Sequence, residues 1–140
     1  MDVDVPIETV WELVEDVESA PEWQGGLNAL TALERDADGR PTLCETETDA
    51  TVKTIKAQVR FDYEPPTRLA WTQEKGELKS VEGAWELEDL GDGRTRVTYV
   101  LDTDPGRVLG MLIRGPVEGK LRDMLVNARP RELKERIEGD

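Results

Sequence analysis

Ile55-Lys56-Ala57-Gln58-Val59-Arg60-Phe61-Asp62-Tyr63 alternates between apolar and polar side chains from end to end. Side chains two apart on a strand share a face, so Ile55, Ala57, Val59, Phe61 and Tyr63 turn one way and Lys56, Gln58, Arg60 and Asp62 the other. The same period runs on both sides of this stretch. In 43–49, Glu45, Glu47 and Asp49 must point to water, which turns Cys44, Thr46 and Thr48 inward. Leu69, Trp71 and Gln73, then Val81, Gly83, Trp85 and Leu87, then Val97, Tyr99 and Leu101 continue the inward row. Asp38-Gly39, Pro65-Pro66, Lys75-Gly76 and Asp92-Gly93 punctuate the runs. Consecutive strands on short turns, from about Leu27 to Thr103, make an antiparallel meander with one wet face and one dry face.

A dry face needs a cover. Upstream, Val3 to Val5 reads as a short first strand. Pro6 suits a first helical turn, and Ile7, Val10, Trp11 and Val14 follow at helical spacing. Ser19 is placed to cap a second short helix with Pro21 early and Trp23 at its close, before Gly25-Gly26 ends the segment. Trp11 and Trp23 read as packing anchors for these helices. Downstream, Asp104-Pro105 reads as an N-cap and a first helical position. Leu109, Leu112, Ile113, Val117, Leu121, Met124, Leu125 and Ala128 recur at helical spacing after it. Gly115-Pro116 should break this helix. Pro130 should kink or end it and leave Arg131 to Ile137 as a frayed or separate turn.

Composition narrows the function. The net charge is −13, with no basic stripe to displace counterions from phosphates, so neither nucleic acid nor an acidic membrane surface is an expected partner. Without any histidine the commonest general base is missing, and so are Ser-His and Cys-His nucleophile pairs and His-containing metal sites. Cys44 is the sole cysteine, which fits a reducing cytoplasm. It reads as a small buried thiol rather than a nucleophile. No apolar run approaches the roughly 20 residues of a membrane helix, and Met-Asp-Val-Asp does not open like a signal peptide. At 140 residues, one domain over 1–140 is expected.

The order of strand, two short helices, meander and long helix contains a set of local words. They are Val5-Pro6-Ile7-Glu8-Thr9-Val10-Trp11, Asp16-Val17-Glu18-Ser19-Ala20-Pro21-Glu22-Trp23 and Tyr63-Glu64-Pro65-Pro66, then Glu82-Gly83-Ala84-Trp85-Glu86-Leu87 and Gly93-Arg94-Thr95-Arg96-Val97-Thr98-Tyr99. Together they resemble the START-like helix-grip superfamily, in its polyketide cyclase/dehydrase and lipid-transport (SRPBCC) branch. The resemblance implies an α+β fold in which a curved antiparallel sheet wraps a long C-terminal helix. It also implies a small hydrophobic ligand, such as a lipid, quinone or polyketide, held between them without a cofactor or metal. The first strand is shorter than the family's usual one. That would leave its neighbour partly unpaired and open a route to a homodimer.

The inner face is where such a ligand would lie. Its expected lining is Thr46, Thr48, Val59, Phe61, Tyr63, Trp71, Gln73, Trp85 and Tyr99 from the sheet, with Leu112 from the helix. The alternative for the aromatic residues is that they simply fill a core. Gly106, Gly110, Gly115 and Gly119 read either as a flexible gate at the pocket mouth or as caps and close approaches. Besides a binding protein, the resemblance admits an aromatase/cyclase with Tyr63 and Tyr99 as proton donors, and a protein-interaction module. An acidic protein would be repelled by ribosomal RNA, which counts against the last.

Overall fold

The computed structural model describes residues 1–51, 53–112 and 115–139, without the side chains of 108, 109 and 112. Strand β1 (Asp2–Val3) leads into helix α1 (Ile7–Glu15) and a 3₁₀ turn (Val17–Glu22). Strands β2 (Leu27–Arg35), β3 (Pro41–Asp49), β4 (Thr54–Glu64), β5 (Arg68–Gly76), β6 (Ser80–Gly91) and β7 (Arg94–Asp104) follow. Then come α2 (Arg107–Leu112), α3 (Pro116–Arg122), a π turn (Asp123–Asn127) and α4 (Arg129–Glu138). The seven strands form one antiparallel sheet in the order β1-β7-β6-β5-β4-β3-β2. No described helix is long and apolar enough to cross a membrane.

Alternation sets the faces as the sequence predicts. On β4, Ile55, Ala57 and Val59 are buried while Lys56 and Arg60 are exposed. The main core gathers Val10, Trp11, Val14, Leu69, Leu87 and Val97 under α1, with Leu133 of α4 fully buried among them. β1 is short, as expected, but covers Asp2–Val3 rather than Val3 to Val5. It pairs only with Thr95 and Arg96, extended by Met1 exchanging main-chain hydrogen bonds with Val97. Beyond Val97, β7 has no strand on that side among the described residues.

Three local expectations need correction. Ser19 is not a cap; it lies inside the 3₁₀ turn and its hydroxyl donates to the Asp16 carbonyl at 2.8 Å, with Pro21 late in the turn. Asp104 and Pro105 precede α2 instead of opening it. The Asp104 carboxylate accepts from the Gly106 N–H, and Gly106 has a φ of +81°, a left-handed geometry that postpones the helix to Arg107. The segment after the interruption is separate, as expected, but it is no frayed turn: Arg129–Glu138 forms a ten-residue helix that begins before Pro130. The turn before it widens, so that Ala128 N–H reaches back to the Asp123 carbonyl, and Pro130 then sits in the first turn of α4, where its missing N–H costs nothing. Gly115, at φ +72°, stands at the start of α3 as the expected break requires, whereas Ile113 and Arg114 lie outside the described residues.

Candidate functional site

Between the dry face and the C-terminal helices lies a cavity of about 750 Å³. Its size falls in the usual ligand-pocket range of roughly 300–1,000 Å³. Thr46 and Thr48 of β3, Val59 and Phe61 of β4, Trp71 of β5, Trp85 of β6 and Tyr99 of β7 all line it. Leu27 and Leu30 of β2 and Leu121 and Leu125 of the helical cover add apolar wall. Exposed Met111, Glu118 and Arg122 share the lining and mark where it meets solvent. Gly106 and Gly110 belong to the same rim, so two of the glycines read as a gate do stand at the mouth.

The aromatic residues form a connected wall rather than a solid plug. Trp85 and Tyr99 have ring centroids 4.6 Å apart, Tyr99 and Trp71 5.7 Å, and Trp71 and Phe61 6.2 Å. Trp71 lies flat over its cross-strand partner Gly83, where a Cβ would fall 2.4 Å from the indole. Glycine is therefore required there to let the indole lie against the sheet and leave space above it.

Two expected lining residues lie elsewhere, and one lies outside the described side chains. Tyr63 points inward, but at the α1 end of the sheet. Its hydroxyl donates to the Pro41 carbonyl, Arg40 lies 5.2 Å over its ring, and burial raises its phenol pKa. Gln73 turns its amide N–H to the Leu78 carbonyl at 2.8 Å, which ties the β5–β6 turn instead of lining the cavity. Leu112 lies outside the described side chains. Cys44 is fully buried, and desolvation pushes its thiol up to about 11, which suppresses the thiolate needed for nucleophilic attack.

The structure also brings to the cavity two residues that the sequence does not place there, Trp23, read as a packing anchor, and Arg129. Trp23 lines the cavity, tilted against Trp85 at 6.0 Å, with its indole N–H buried and without a hydrogen-bond partner among the described residues. Arg129, 4% exposed, reaches the cavity from the start of α4. Its Nη1 donates to Glu132 Oε1 at 2.8 Å and to the Gly25 carbonyl at 2.7 Å, while Glu132 Oε2 accepts the Gly25 N–H. Its Nε–H has no partner among the described residues. An unpartnered buried donor costs about 1–3 kcal/mol, so two in one cavity wall are notable. Burial raises the Tyr99 phenol pKa, and the nearby Arg129 charge together with a side-chain hydrogen bond to Arg129 opposes the rise. A signal for Arg129 does exist in the sequence: Leu121, Leu125, Arg129, Leu133 and Ile137 recur at steps of four.

A family model described as polyketide cyclase/dehydrase and lipid transport matches residues 3–129. The chain belongs to that family. A START superfamily protein from Mycobacterium smegmatis superposes with a TM-score of 0.82 at 20% identity, covering 99% of this chain and 94% of its own. A Thermus thermophilus protein gives 0.81 at 20%, covering 99% and 94%. The Zhui aromatase/cyclase of Streptomyces sp. R1128 gives 0.77 at 18%, covering 99% and 90%. At these identities the likeness is one of fold, and it makes the START-like helix grip secure. An uncharacterized Pseudomonas aeruginosa protein is 28% identical over 123 residues, which is 75% of this chain and 58% of that relative. The family member described here therefore spans little more than half of that relative's length.

Proposed function

We propose that this SRPBCC domain binds a small, mostly apolar molecule in the cavity between sheet and helices. The supporting observation is a space of about 750 Å³ walled by Phe61, Trp71, Trp85 and Tyr99 that no side chain of the described residues fills. The sheet residues of this wall, with Thr46, Thr48 and Val59, are the proposed binding residues. Carriage or sequestration of a lipid, quinone or polyketide accounts for the site more simply than cyclisation does. An aromatase/cyclase reading needs a base beside the substrate, but the carboxylates of Asp16, Asp102 and Glu118 on the cavity lining belong to exposed residues. Glu132, nearer the Trp23–Tyr99 wall, is already committed to Arg129 and Gly25.

Native mass spectrometry of protein purified from its own host tests the reading; a co-purifying apolar mass is expected. Thr48→Phe should remove that mass by filling the cavity. Its stability should shift by less than about 1 kcal/mol, because the ring enters existing space rather than a packed core. Retention of the same ligand by a folded T48F protein would place the binding site elsewhere.

A further inference from the structure

We infer that Gly83 decides how broad a ligand the cavity accepts, because its missing side chain lets the Trp71 indole lie down on the sheet and clears the space above it. This rests on the cavity-binding reading above and adds the residue that selects among apolar ligands by breadth.

A glycine inside a strand answers to one of three causes: a left-handed backbone, a bulge, or a close approach. The first two are absent at Gly83. Its φ is not positive, and it pairs in unbroken register with Trp71 of β5 on one side and Leu101 of β7 on the other. The close approach remains. A Cβ would fall 2.4 Å from Trp71 Cε2 and Cζ2 and 2.6 Å from Nε1, so the indole occupies the volume that a side chain at 83 would take. Strand β6 thus goes without a packing side chain in order to seat this ring. It does so where the inner face lines the cavity: Val81 and Trp85 on either side of Gly83, and Trp71 and Leu101 across from it, are all lining residues.

Once displaced, the indole has one way to go. A methyl at 83 must push the ring from 2.4 Å out to 3.4 Å or beyond, where ordinary contact begins. The sheet lies beneath it. Phe61 stands beside it at 6.2 Å between ring centroids and Tyr99 at 5.7 Å, and Tyr99 is backed in turn by Trp85 at 4.6 Å. What is left is the cavity. A methyl at residue 83 therefore acts through a whole bicyclic ring, whereas bulk added at Thr46 or Ala57 of the lining takes up only its own volume. A small ligand can sit clear of the raised ring; a broad one meets it.

Fluorescence titration with fused-ring hydrocarbons of increasing breadth (naphthalene, phenanthrene, pyrene and perylene) tests this. In Gly83→Ala the broadest hydrocarbon that the wild-type protein binds should weaken roughly tenfold or more, the scale of an overpacked contact, and naphthalene far less. Trp71→Leu removes the ring that transmits the methyl's effect. In that background the added methyl should change broad and narrow probes alike, by less than about twofold. A folded Gly83→Ala protein that keeps the wild-type affinity for the broadest probe would overturn the inference, and so would equal weakening of naphthalene. Should the single variant not fold, Trp71→Leu compared with Trp71→Leu/Gly83→Ala decides. Loss of the broad probe on adding the methyl, with no indole to move, overturns the inference, and equal binding upholds it. Binding that is insensitive to residue 83 leaves the cavity reading intact. Failure of every hydrocarbon to bind the wild-type protein would sink the cavity reading and this inference together.

Discussion

Two ends of one sheet face behave differently. Under α1, Leu69, Leu87 and Val97 meet Val10, Trp11 and Leu133, and these side chains are 6% exposed or less. Toward α2 and α3, Ile55 packs with Ala50 and Leu121 in a smaller cluster, with Leu125 against it, and beside that cluster Ala57, Leu121 and Leu125 line the cavity. Strand period and apolar character are shared between the two ends. The difference is volume: the filled end receives a full amphipathic helix and the buried part of α4. The open end sets Thr46, Thr48 and Ala57 beside its aromatic wall, under a segment with four glycines between 106 and 119, two of them inside α2 and α3.

The comparison can be broken most directly at Leu133. Leu133→Ala should cost about 2–5 kcal/mol in urea unfolding, while Leu125→Ala at the cavity wall should cost clearly less, because its side chain already lacks partners on one side. Equal losses would mean that the two ends are packed alike. A smaller effect is expected at the seam between them. Gly26 has a φ of +82°, and a Cβ there would lie 2.6 Å from Leu125 Cδ2. Gly26→Ala should therefore cost about 1–3 kcal/mol, measured the same way, and a neutral result would show that the helix can retreat from the loop.

The smallest effect belongs to the filled end. The buried Cys44 thiol has its pKa raised from 9.0 to about 11 by desolvation, so the folded state holds its proton more tightly than the unfolded chain does. Its contribution to stability is complete below about pH 9 and is lost as the pH climbs toward 11. Tyr63 and Tyr99 act in the same direction at higher pH. Cys44→Ala should thus flatten, but not abolish, the alkaline fall in melting temperature. An unchanged profile would mean that the thiol is not shielded from water.

Much of the fold is legible because a strand repeats every two residues. The row from Ile55 to Tyr63 identifies the dry face without reference to anything else. Alternation, however, says which face a side chain takes and not where along the face it lies. That is why Tyr63, correctly inward, is found on the Pro41 carbonyl rather than in the cavity. Gln73 escapes for a different reason: a flexible amide folds back to the nearest bare carbonyl, Leu78, and no periodicity records that choice. Trp23 reads only as an anchor in the sequence, since its lack of a hydrogen-bond partner is a property of the packed structure. Arg129 is hidden because Pro130 beside it reads as a terminator, which masks the recurrence of Leu133 and Ile137.

The widened turn at Asp123–Asn127 has a consequence for how such a site is tuned. A helix is a screw, and one additional residue in a turn rotates everything beyond it by roughly 100° relative to everything before it. The chain thereby sets the direction of Arg129 independently of the seating of Leu121. Leu133 rides one turn beyond Arg129 on the same face of α4, so that single turn orients the cation toward the cavity and the leucine toward the filled core together.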